Sequence, residues 1–236
     1  MTRYPINKTK TFIAAGFMLA SLAACDNNHH DSTATYQIDV TNATNAQPLT
    51  PVAAIAHAAD YHPWALGSAA STGLEMLAEG GDVTQFLADA DADADVEDTV
   101  SSTSGPFGPG SSESVELSVK NPASDLAISV AAMLADTNDA FTGVANVPVG
   151  MLSKGDSLTM MARVYDAGTE SNSETAATIP GPAGGGEGFN ATRDDTDFVS
   201  IHAGVVTADD GLSTSALGEE DRWLGPAAKI TITRTN

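Results

Sequence analysis

Six short stretches of this chain alternate like strands: Tyr36–Asn42, Ser114–Asn121, Leu126–Met133, Ser157–Tyr165, Val199–Ala203 and Lys229–Thr233. Gly, Pro, Asn and Asp turns separate them. Period-two alternation sends neighbouring side chains to opposite faces of a sheet, so each run has one side to bury. Several such strands with turn punctuation predict an all-β chain, an antiparallel β-sandwich with long loops. One short helix is expected over Ala70–Ala78: Leu74 and Leu77 recur at helical spacing, Ser71 can cap the start, and Gly80-Gly81 stops it. It is expected to cover one end of the sandwich. Ile179–Asn190, with Gly181, Pro182 and three successive glycines from Gly184, reads as a mobile loop, and Ser101–Ser112 as a second.

The first 34 residues read differently. Arg3, Lys8 and Lys10 precede the apolar run Phe12–Ala24, which ends in Leu22-Ala23-Ala24-Cys25. A basic start, a short apolar stretch and small residues before a cut describe a secretory signal, residues 1–24, too short for a stable membrane span. Cys25 is the single cysteine of the chain, and its place at the cut matches a bacterial lipoprotein signal in which it becomes the acylated first residue. An ordinary signal next to a cysteine is the alternative. Disulfides within the chain are excluded, and acyl chains would anchor the protein to a membrane without spanning it. Asp26-Asn27 resembles the sorting signal for the inner membrane, and residues 25–34 form a polar tether. Residues 35–236 then fit one domain of about 200 residues.

Ten basic against 31 acidic residues give a net charge of −21. Such a field repels nucleic acid and anionic headgroups, which need clustered Lys and Arg, and it favours cations. Salt-adapted proteins are acidic too, so charge alone does not locate a site. Two acidic turns do: Thr137-Asn138-Asp139-Ala140-Phe141 and Tyr165-Asp166-Ala167-Gly168-Thr169-Glu170, each following a strand-like run. Two strand ends at one sheet edge would place Asp139, Asp166 and Glu170 around a common point. Ca²⁺ takes about 6–8 oxygen ligands from such carboxylates, carbonyls and waters, and Asn138 and Asn172 could add to them. The competing account is that these residues only cap turns, as Asp and Asn do.

The order of short blocks along the chain carries a resemblance. Tyr36-Gln37-Ile38-Asp39-Val40, Gln47–Val52 running to His57, Ala70–Glu75 with Ala78-Glu79-Gly80-Gly81-Asp82, the two acidic turns, Ile201-His202-Ala203-Gly204, and Trp223 with Gly225–Arg234 together resemble the spondin N-terminal domain. The resemblance runs from about Thr35 to Arg234. In animal members such as F-spondin and mindin it implies a calcium-binding β-sandwich of the extracellular matrix, and its calcium carboxylates fall on Asp139, Asp166 and Glu170. The animal pattern has Asp at the last of these, so Glu170 is one methylene longer. What the resemblance implies here is a non-catalytic interaction or structural module of the cell envelope holding one structural Ca²⁺, with an envelope or extracellular protein or glycan as partner.

Other constellations carry less. Asp89, Asp91, Asp93 and Asp95 suggest an EF-hand, but counting from Asp89 the sixth and twelfth positions are Ala94 and Val100, where Gly and Glu are required. A solvated acidic loop is the expectation. Five histidines show no metal-ligand spacing; His57 and His202 are expected as buried partners of backbone groups. No Gly-x-Ser-x-Gly elbow exists, and Gly184–Gly188 lacks the Lys of a P-loop. Two rivals remain: a hydrolase in which His57 or His202 meets a carboxylate in a deep pocket, and a small-ligand carrier with a closed apolar cavity near Trp64 and Trp223. Both tryptophans are otherwise expected in the core.

Overall fold

The alternation of the first strand carries straight into the architecture. In a computed structural model, which describes residues 32–236, β1 (Thr33–Asn42) buries Ala34, Tyr36, Ile38 and Val40 and turns Thr35, Gln37 and Asp39 outward. The expected signal 1–24, Cys25, Asp26-Asn27 and most of the tether lie outside the described residues. β1 pairs with β4 (Ser112–Lys120) on one side and β9 (Ala228–Arg234) on the other. The facing layer holds β2 (Ala53–Ala58), β3 (Val96–Ser101), β5 (Leu126–Met133) and β6 (Ala140–Pro148). β7 (Ser157–Asp166) joins the layers: its Ser157–Ala162 half pairs with β9 and its Arg163–Asp166 half with β6. The two-residue β8 (Ser200–Ile201) pairs with the end of β7.

All ladders are antiparallel, in the order β3-β2-β5-β6-β7-β9-β1-β4. The fold is all-β as expected, but it is one nearly closed sheet folded into two layers, and its end strands approach where Ser118 N donates to Asp98 Oδ2 at 2.7 Å. Between the layers lie Tyr36, Ile38, Leu117, Ile128, Val130, Ile230 and Ile232.

Among the described residues two α-helices form where one was expected. α1 (Thr72–Gly80) begins and ends where its caps place it: Ser71 Oγ accepts from Leu74 N at 3.1 Å, and Gly81, at φ +68°, donates its N–H to Leu77 O. α2 (Thr84–Asp91) takes up the first half of the acidic run, so Asp89 and Asp91 are helical, and the expected loop begins only beyond them. Neither helix caps an end of the sandwich. They lie on the outer face of the β2-β5-β6 layer, where Leu74, Leu77, Ala78 and Phe86 pack with Ile55, Ala131 and Phe141. β5 is therefore buried on both faces.

The two expected loops have no long strands or helices, yet they are bound down. Gly181 N donates to Ala135 O at 2.9 Å, Ala183 N to Asp136 Oδ1 at 2.8 Å, and Ile179 is wholly buried with Val205 and Leu217. Phe107 exchanges two backbone bonds with Leu49, at 2.8 and 3.0 Å. A segment with these attachments is irregular without being loose.

Candidate functional site

The ladder between β6 and β7 decides where the acidic turns go. Ala140 stands opposite Asp166, so Asp139, one residue before β6, lies beside the turn that follows β7. Ala167 N donates to Asp139 O at 3.2 Å. The Asp139 carboxylate is wholly buried, and its Oδ2 accepts from Thr169 N (2.8 Å), Thr169 Oγ1 (3.3 Å) and Glu170 N (3.2 Å). Its Oδ1 is buried with no hydrogen-bond partner. Glu170 is buried as well, and its Oε2 is equally unpartnered. A buried carboxylate oxygen without a donor is costly, because desolvation falls hardest on the charged form. Burial, with Asp166 adding to it, pushes the Asp139 carboxyl up to about 7. Burial, then Glu79 and Asp139, push Glu170 up to about 8.

Asp166 is placed differently. Its Oδ1 accepts from Gly168 N at 2.8 Å, closing the turn, and its Oδ2 accepts from Asn172 Nδ2 at 2.7 Å. Asn172 Oδ1 lies 3.0 Å from His202 Nε2, and His202 Nδ1 accepts from Gly204 N at 2.9 Å. That last bond sets the proton on Nε2, which then donates to Asn172, so a chain of three side chains runs from His202 to Asp166. Asn138 lies beside Glu170, whose pKa its side chain lowers, while its Nδ2 donates to Thr178 Oγ1 at 2.8 Å and its Oδ1 accepts from Glu174 N at 3.3 Å.

The turn after β7 needs its glycine. Gly168 has φ +71°, and a Cβ there would lie 2.3 Å from Phe198 O. Gly168→Ala is expected to cost about 1–3 kcal/mol from the left-handed conformation and the forced retreat of residues 196–198. A urea midpoint measurement checks this; an unchanged midpoint would show that the turn and the 196–198 segment yield freely.

The residue that sequence reasoning missed is Glu79 of α1. It is buried, its Oε2 accepts from Asn190 N at 2.8 Å, and its Oε1 has no partner. Burial raises its pKa. Glu75, one turn earlier on the same buried face, pairs with Arg193 at 2.7 Å. Two glutamates four apart on the apolar side of a helix were the available signal. Asp139, Glu170 and Glu79 thus each bring one donorless oxygen into neighbouring positions, whereas both oxygens of Asp166 have donors. Among the described residues, no three Asp, Glu, His or Cys side chains are gathered closely enough about one point to hold an ion as they stand.

The remaining sequence candidates lie apart from these carboxylates. His57 is buried, with Nδ1 2.7 Å from Ala58 O and Nε2 2.8 Å from Ser129 Oγ, which in turn accepts from Asn146 N at 3.0 Å. Burial lowers its pKa, and its partners are a backbone carbonyl and a serine. Trp64 is a core residue, edge-on to Phe141 and Tyr165 with centroids 5.3 and 5.9 Å away. Trp223 is half-buried, 5.1 Å from His202, and both line an open cleft of about 490 Å³. A second buried acidic group, Asp136, Glu174 and Asp221, was not foreseen; burial, with Asp221 adding, pushes Glu174 up to about 7.

Comparison with known proteins agrees with the order of the sequence blocks. The family model described as Spondin_N matches residues 30–180, which include β1 through β7 and both acidic turns. The C-terminal blocks around His202 and Trp223 lie beyond the match. No curated protein matches the chain. With more than half of its 236 residues matched, the chain belongs to the spondin N-terminal domain family.

Proposed function

We propose that this domain is a calcium-binding, non-catalytic interaction or structural module of the bacterial cell envelope, anchored by lipid at Cys25. Asp139, Asp166 and Glu170 supply carboxylates to one structural Ca²⁺, and Glu79, whose charge bears on Glu170, adds a fourth carboxylate to their surroundings. The observation that carries the reading is the pair of donorless buried oxygens, Asp139 Oδ1 and Glu170 Oε2, at the meeting of the two turns. A hard cation satisfies such oxygens where no N–H reaches them. The anchor rests on the signal-like segment ending at Cys25, and the partner is an envelope or extracellular protein or glycan. A net charge of −21 argues against nucleic acid.

The raised carboxyls give the test its sign. Unfolded carboxyls titrate near 4, whereas ion-free Asp139 and Glu170 titrate at about 7 and about 8. Between these limits the native state holds protons that the unfolded chain has lost, so ion-free stability falls as pH rises from about 4 through about 8. Calcium has to displace those protons. Calorimetric titration is expected to show binding that releases about two protons at pH 6 and far fewer at pH 9, with affinity roughly a thousandfold weaker at pH 6 than at pH 8.5. Asp139→Asn should abolish the binding. No heat of binding at pH 8.5, or an affinity indifferent to pH, would sink the reading.

A further inference from the structure

A notch interrupts the ladder on the edge of β7 that faces away from β6. β9 follows that edge through Ala162, where Ala227 N donates to Ala162 O at 3.0 Å. β8 resumes beyond it, where His202 N donates to Val164 O at 3.2 Å. Between them Arg163 and Val164 form the floor of the cleft of about 490 Å³, walled by Ile201 and His202 on one side and Trp223 and Leu224 on the other. That volume lies in the range of small-molecule sites.

From this cleft we infer a binding site for a small amphiphilic carboxylate, an apolar body bearing a single negative charge. The walls supply the apolar part: Leu224 is fully exposed, Ile201 is 45 % exposed, and the Trp223 indole stands half-buried beside them. Exposed aliphatic side chains grouped around a concavity, away from the core, mark contact surface for a ligand.

Arg163 supplies the charge. Its side chain is exposed, it forms no ion pair among the described residues, and no acidic residue lines the cleft. In a chain of net charge −21, a guanidinium left without a carboxylate partner is an unmet site for one. One guanidinium in so negative a field selects a single charge over a polyanion. His202 does not compete for the ligand. Both its ring nitrogens are engaged, by Gly204 and Asn172, and burial keeps the ring neutral, so it serves as a flat wall. The site does not depend on calcium, although it shares the His202–Asn172–Asp166 chain with the carboxylate patch.

Calorimetric titration of the full-length chain with 2-naphthoate and with its neutral analogue 2-naphthalenemethanol tests the assignment. The wild type is expected to bind 2-naphthoate saturably and one to one. Arg163→Gln should weaken the acid by about tenfold or more and leave the alcohol unchanged. Leu224→Asp, at a side chain too exposed to affect folding, should weaken the acid more than the alcohol. Lys154→Gln should change neither. Absence of saturable 2-naphthoate binding to the wild type, or unchanged affinity for the acid in Arg163→Gln or in Leu224→Asp, would overturn the site.

Discussion

Calcium at about one hundred times its dissociation constant is expected to raise the melting temperature of this protein by about 5–10 °C above an EGTA-treated sample. The magnitude follows from mass action: a ligand that binds only the native state at that ratio adds about 2.7 kcal/mol, and a domain of this size gains about 2–4 °C per kcal/mol. The turn before β6 and the turn after β7 already touch through Asp139, which collects three donors from Thr169 and Glu170 on a single oxygen. Its other oxygen, and that of Glu170, face no donor. An ion there would relieve both at once and tie the turns together, which is why the gain should appear in global stability. The Asp139→Asn, Asp166→Asn double variant should melt at one temperature in EGTA and in calcium. A wild type indifferent to calcium would leave these carboxylates as turn residues that stay buried by keeping their protons.

Part of this arrangement could be read from the sequence and part could not. β1, β4, β5, β7 and β9 were legible because their apolar periodicity is two. β2 was not, since four of its six residues are alanines, which are poor strand formers, and it is a strand only because β3 and β5 flank it. β6 contains Gly143, Asn146 and Pro148, each a turn residue by composition. Gly143 is there because a Cβ would meet Val130 O at 2.2 Å, a fact of packing that no local pattern carries. The nearness of Asp139 to Asp166 was legible only in part: both turns follow readable strands, β5 and β7, but these do not pair, and it is the unread β6 that sets Asp139 beside the end of β7. Glu79 was not, because α1 reaches the site only by lying across the sheet. The cleft on β7 was not either: its walls come from β8 and from the segment before β9, brought together by two separate interruptions of one edge.

Phe141→Ala is expected to destabilise the protein by about 3–5 kcal/mol, a fall of roughly 6–20 °C in melting temperature. Phe141 is wholly buried, stacked on Tyr165 with centroids 5.2 Å apart and met edge-on by Trp64 at 5.3 Å. Its removal deletes the apolar transfer term and leaves a cavity between two rings and α1, which a strand held on both edges cannot close. The position also matters to the site. Phe141 pairs with Tyr165 one step along the ladder from Ala140 and Asp166, and it packs in the cluster that seats Leu74 and Leu77 of α1, the helix that carries Glu79. Phe141→Leu, which keeps most of the volume, should cost less than half as much. Urea unfolding of the three proteins in EGTA measures both differences free of any ion. A loss under about 1 kcal/mol for Phe141→Ala would mean that α1 and the sheet close over the gap, and that the helix holds Glu79 less firmly than its burial implies.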